Sequence, residues 1–184
     1  MKTIKILYLS LLVVFFTACS SDDDNNSIED NTVTNKITVG DSEFEMKTAI
    51  VEPTLNNSVF LSLTNNTQAQ IEDSYNGTTL NNVDYFYARI NHSDLTSNET
   101  YDLSEISSLE FIVNGDIIDA EYENGFIQFY KSGSNPDLEV TQGSITVTNY
   151  STDNLTLTFN FVRNDGTEIS GNYNGILLSL DDQE

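Results

Sequence analysis

The chain predicts an all-β fold, a single antiparallel β-sandwich or partly closed β-barrel of about ten strands. Three observations predict it. Apolar residues recur at every second position in short runs, Gly-Asp, Asn-Gly and Asn-Asp-Gly sequences fall between those runs, and no long stretch carries apolar residues at helical spacing. With 184 residues, the chain has room for one sizeable core and not for two.

Ile37 and Val39 precede Gly40-Asp41, after which Phe44, Met46, Thr48 and Ile50 alternate with Glu43, Glu45 and Lys47. This predicts a two-residue turn with Gly40 first, Ile37 opposite Phe44, and one half-buried strand running through Ile50. Val59, Leu61 and Leu63 form a further strand. Phe86, Ala88 and Ile90, after Asn76-Gly77, form another, whose opposite face carries Tyr85, Tyr87 and Arg89. The period is less clear from Asp94 to Ser108, and residues 103–109 read as a short helical turn or an irregular edge.

Asn114-Gly115 and Asn124-Gly125 are both type I′ hairpin signals. They predict a three-stranded meander in which Leu109, Phe111 and Val113 lie beside Ile118, Ala120 and Tyr122, and these beside Ile127 and Phe129. Phe126 and Tyr130 then point outward. The last segment places Ile145, Val147, Leu155, Leu157, Phe159, Phe161, Ile169, Gly171 and Tyr173 on one parity. That parity selects a three-residue loop, Asn164-Asp165-Gly166 with Gly166 left-handed, which pairs Phe161 with Ile169, Leu157 with Tyr173 and Phe159 with Gly171. Because the apolar positions then move to Ile176, Leu178 and Leu180, a bulge is expected near Asn174-Gly175.

Ahead of this domain, Lys2 and Lys5, the apolar run Ile6–Phe16 and the small pair Thr17-Ala18 read as an export signal over residues 1–18. The run falls short of the about 20 apolar residues that span a bilayer. Cys19, the only cysteine, follows the small pair directly and has no disulfide partner in the chain. It is expected to carry a lipid anchor, so that the membrane is a partner through acyl chains and not through a spanning helix. Residues 19–35 are polar and acidic and read as a flexible tether, with the folded domain over 36–184.

Cys19 followed by Ser20-Ser21-Asp22-Asp23-Asp24 resembles exported lipoproteins of Bacteroidota-type bacteria. In these, a serine and acidic run after the acylated cysteine implies transfer to the outer face of the outer membrane. The closing hairpin is similar to that of small lipoproteins of unknown function from the same bacteria, on Gly143-Ser144-Ile145-Thr146-Val147, Phe159-Asn160-Phe161 and Gly166 through Ile169-Ser170-Gly171-Asn172-Tyr173. Many of those carry Gly-Thr-Phe where this chain has Leu157-Thr158-Phe159. The resemblance covers the leader and about the last quarter of the chain. It implies a cell-envelope lipoprotein, exposed on the cell surface, and no particular activity.

The formal net charge of −22 repels phosphate backbones, which argues against nucleic-acid binding. Nucleophilic catalysis lacks a suitable base, because the one histidine, His92, lies in Asn91-His92-Ser93-Asp94, where neighbours on an extended chain point to opposite faces. One His and one acylated Cys do not make a zinc site, and Asn164-Asp165-Gly166 and Asn114-Gly115-Asp116 lack the spaced acids of a calcium loop. No metal, cofactor or catalytic residue is therefore expected, and the chain reads as a noncatalytic binding or structural module. The candidate ligand face is Tyr85, Tyr87 and Arg89, a platform for a glycan or an envelope protein. Two other classes stay open: a carboxylate-based glycan hydrolase, and a lipocalin-like carrier of a small apolar ligand.

Overall fold

The computed structural model describes residues 35–54, 56–119 and 121–178. The leader, Cys19 and the acidic run lie outside the described residues, as do Ala120 and Leu180. The described residues form strands β1 (Lys36–Val39), β2 (Ser42–Glu45), β3 (Thr48–Pro53), β4 (Val59–Thr64), β5 (Leu80–Ile90), β6 (Glu99–Asp102), β7 (Ile106–Ile118), β8 (Glu121–Tyr130), β9 (Val140–Tyr150), β10 (Asn154–Arg163) and β11 (Glu168–Leu178), with one helix, α1 (Gln68–Tyr75). The main sheet runs β6-β9-β10-β11-β3-β4-β5-β7-β8, and β1 adds to β11 with β2 beside it. It curls into a half-barrel. All pairings are antiparallel except β11 with β3, where Leu177 and Leu178 lie beside Ala49 and Ile50.

Alternation explains the inside of the curl. Phe86 of β5, Phe111 of β7, Phe129 of β8 and Phe159 and Phe161 of β10 are all buried. Phe86 stacks on Phe159 with centroids 4.7 Å apart and planes 7° apart, and Phe129 meets Phe161 at 6.5 Å. These contacts fasten the β5–β8 half to the β10 side. Each such side chain contributes about 1.5–3 kcal/mol by leaving water.

The two local hairpins follow the predicted register. Ile37 pairs with Phe44 around Gly40 at φ +56°. Leu157 pairs with Tyr173, Phe159 with Gly171 and Phe161 with Ile169, closed by Arg163 N–H donating to Thr167 O at 3.0 Å and Gly166 at φ +86°.

Three expectations are corrected. The strand expected through Phe44 and Ile50 breaks at Met46-Lys47, because the backbone changes partner there: Met46 N–H donates to Asn35 O at 2.9 Å and Lys47 N–H to Thr64 O at 2.7 Å. The parity changes with it, so that Ala49 and Val51 are buried while Ile50 and Glu52 face outward.

The Asn-Gly meander does not form. Asn114-Gly115 and Asn124-Gly125 lie within β7 and β8, and Gly115 is the direct partner of Asn124. The hairpin turns instead after Ile118, with Asp119 at φ +51°. Asn114 (φ +54°), Asn124 (φ +63°) and Gly125 (φ +87°) adopt the left-handed backbone expected of a turn, and spend it on distorting the ladder. Ile127 is consequently 41% exposed: Phe111 pairs with Phe129 but Ile112 with Ile127, so one extra residue on β8 reverses its parity. Phe126 is 69% exposed although it pairs with the buried Val113, whereas Tyr130, expected outward, is buried and its hydroxyl donates to Asn135 O at 2.7 Å.

No bulge interrupts β11 at Asn174-Gly175, where the pairing with β10 is continuous to Ile176. Ile176 is exposed and Leu177 takes the inward position, because unbroken alternation keeps Tyr173, Gly175 and Leu177 on one face; there the strand passes from β10 to β3. Between β4 and β5, ahead of the Asn76-Gly77 turn, the chain forms α1. Thr67 caps it, with Thr67 N–H donating to Gln70 Oε1 at 2.9 Å and Gln70 N–H to Thr67 Oγ1 at 3.4 Å, the reciprocal pair of a capping box.

Candidate functional site

Ser62 and Thr64 of β4 stand on the outward parity, yet they are 4% and 3% exposed. Helix α1 lies over them, with Ile71 and Ser74 buried on its underside. Between helix and sheet opens a cleft of about 210 Å³, lined by Ile50, Glu52, Ser62, Thr64, Ile71, Ser74, Tyr75, Tyr85, Ile117 and Tyr122.

Three tyrosines wall this cleft. Tyr85 shares a hydrogen bond of 2.9 Å with Ser62 Oγ and stacks on Tyr122, centroids 5.6 Å apart and planes 27° apart. The Tyr122 hydroxyl donates to Val83 O at 3.0 Å. Tyr75 stands at the rim, 48% exposed. Burial, with the Asp84 carboxylate adding to it, pushes the Tyr122 phenol up to about 12. Burial also raises Tyr85 and Tyr75, and the nearby Glu52 charge raises both further. All three phenols are therefore neutral at physiological pH.

The structure divides the Tyr85, Tyr87 and Arg89 platform. Tyr85 belongs to the cleft. Tyr87 and Arg89 form a separate patch around Phe60, with Tyr87 tilted against that ring at 5.5 Å and the Arg89 guanidinium 5.4 Å from its centroid. Arg89 Nε also donates to Ser58 Oγ at 3.0 Å, so the guanidinium is held down along the sheet. The cation is thus engaged by its own aromatic neighbour.

Of the lining residues sequence reasoning named only Tyr85 for a ligand face, and missed Ile50, Glu52, Ser62, Thr64, Ile71, Ser74, Tyr75, Ile117 and Tyr122. The Thr67-x-x-Gln70 pattern was the available signal for α1; nothing local signalled that Tyr122 faces outward. Its position depends on Gly115, where a Cβ would come 2.0 Å from Tyr122 Oη.

His92 lies apart from the cleft. Its Nε2 is 3.0 Å from Glu105 Oε1, and its ring meets Tyr101 edge-on at 5.0 Å. The Asp94 carboxylate accepts from Leu95 N–H at 2.8 Å. The pair with His92, ahead of the bond from Asp102 N–H, holds the Glu105 carboxyl below its ordinary value. Among the described residues no group of three or more His, Cys, Asp and Glu side chains is placed to hold a metal ion.

Compared with known proteins, the chain matches no family model, no curated protein and no solved structure.

Proposed function

We propose that this chain is a cell-envelope lipoprotein, anchored through Cys19 on the outer membrane and exposed on the cell surface, whose β domain binds a ligand without transforming it. The observation that carries the binding reading is the cleft under α1, three tyrosines and three isoleucines around Ser62 and Thr64. Small-molecule sites have this character, apolar walls with few polar groups. The interior of the half-barrel supports an outer-face site over a carrier cavity, because Phe86, Phe111, Phe129, Phe159 and Phe161 fill it. Glycoside hydrolysis needs two carboxyls across the bond, and among the described residues lining the cleft Glu52 is the only carboxylate.

The binding reading is tested by methyl NMR of the purified full chain, in detergent, titrated with envelope glycan fragments and a panel of small neutral and charged molecules. Saturable shifts at Ile50, Ile71 and Ile117, with Ile145 and Ile169 of the core unmoved, are expected. A panel that leaves the three cleft methyls still, at concentrations where weak sites fill, overturns it. The address is tested by protease shaving of a C-terminally tagged chain on intact cells. Shaving of the parent chain and protection of an Asp22-Asp23-Asp24→Ala variant are expected; protection of both refutes surface exposure.

A further inference from the structure

The cleft's polar groups indicate what kind of ligand it takes. Tyr85 and Ser62 hydroxyls bond each other, and Tyr122 donates to Val83 O. Ser74 Oγ donates to Ile71 O at 2.6 Å, and Thr64 Oγ1 accepts from Asn66 Nδ2 at 3.2 Å. Five of the lining hydroxyls are thus already committed within the protein. A sugar, which is recognised through many directed hydrogen bonds, finds few partners here. What the cleft still offers is aromatic surface, from Tyr75 and from the stacked pair of Tyr85 and Tyr122, and one carboxylate, Glu52. No lysine, arginine or histidine is among the lining residues, and the whole chain carries a net charge of −22, which raises the local concentration of cations.

Resting on the reading of this cleft as a binding site, we propose that it takes a methylated ammonium group, held against the Tyr75 ring and the stacked pair of Tyr85 and Tyr122 with Glu52 as counter-charge. A quaternary ammonium carries charge without N–H donors, so it needs none of the hydroxyls the protein has used. It is attracted by the negative faces of aromatic rings. A primary ammonium would bring three donors and lose their hydration with little in return. The size agrees: a cleft of about 210 Å³ can seat a small headgroup.

The test is a methyl-NMR titration of the purified full chain with choline chloride, and separately with its uncharged isostere 3,3-dimethylbutan-1-ol, for the parent chain and for Glu52→Gln. Choline is expected to shift Ile50, Ile71 and Ile117 saturably, the isostere to bind at least tenfold more weakly, and Glu52→Gln to weaken choline at least fivefold with the Ile145 and Ile169 signals unchanged. Equal affinity for choline and the isostere, or a Glu52→Gln chain that binds choline as the parent does, overturns the cation assignment and leaves the cleft a binding site. So does a neutral sugar that shifts the cleft methyls where choline does not. If neither choline, the isostere nor the glycan fragments move these methyls, the cation assignment and the binding reading fall together.

Discussion

Phe159 crosses Gly171 so closely that a Cβ on the glycine would come 2.1 Å from Phe159 Cζ. The two residues are direct partners across β10 and β11, and the other side of the Phe159 environment is the stacked ring of Phe86. The ring is held between a backbone with no side chain and an aromatic from the opposite half of the curl.

Gly171→Ala should therefore overpack the centre of the domain, at a cost of about 1–3 kcal/mol. At about 2–4 °C per kcal/mol for a domain of this size, the melting temperature followed by circular dichroism should fall by several degrees. A melting temperature equal to the parent's would show that the ring can move aside freely.

Gly115 does the same for Tyr122 on the outer face, where a Cβ would meet the phenol oxygen at 2.0 Å. Gly115→Ala should displace Tyr122, break its bond to Val83 O and open one wall of the cleft. The expected readout is a shift of the Ile117 methyl signal with the core methyls of Ile145 and Ile169 in place. An unmoved Ile117 signal contradicts the role of Gly115 in seating Tyr122.

Thr67→Ala removes the hydroxyl that accepts from Gln70 N–H, and loss of such a cap costs about 1 kcal/mol. Since α1 spans only Gln68–Tyr75, the helix should fray and uncover Ser62 and Thr64. Faster amide exchange confined to residues 68–75 is the expected result, with β10 and β11 protected as before. Unchanged exchange would mean that Ile71 and Ser74 anchor the helix without the cap.

The tyrosines make stability alkali-sensitive. The Tyr122 phenol is raised from 10.0 to about 12, mainly by burial, and Tyr85, Tyr75, Tyr87, Tyr101 and Tyr173 are raised as well. A group whose acidity is weakened by folding favours the folded chain fully below its unfolded value, and that contribution is lost as pH climbs through the folded one. The urea midpoint should fall between about pH 10 and about pH 12, alongside late-titrating phenolate absorbance. Tyr122→Phe should remove the latest part of that absorbance; a phenolate titration complete near pH 10 would contradict the burial.

The sequence by itself determined the all-β class, the hairpin at Gly40-Asp41 and the closing hairpin at Asn164-Asp165-Gly166. These depend on neighbouring residues alone: period-two alternation selects a face, and a short loop leaves one register that keeps apolar residues together. Tertiary structure decided where the left-handed residues of Asn114-Gly115 and Asn124-Gly125 would be used, because a turn and a bulge ask the same φ of asparagine and glycine. It also decided where strands change partners, as at Met46-Lys47 and at Leu177, since the competing hydrogen-bond acceptors come from distant segments. The cleft belongs wholly to this second kind. Its walls come from β3, β4, α1, β5, β7 and β8, and no stretch of the chain holds enough of them for its pattern to show the site.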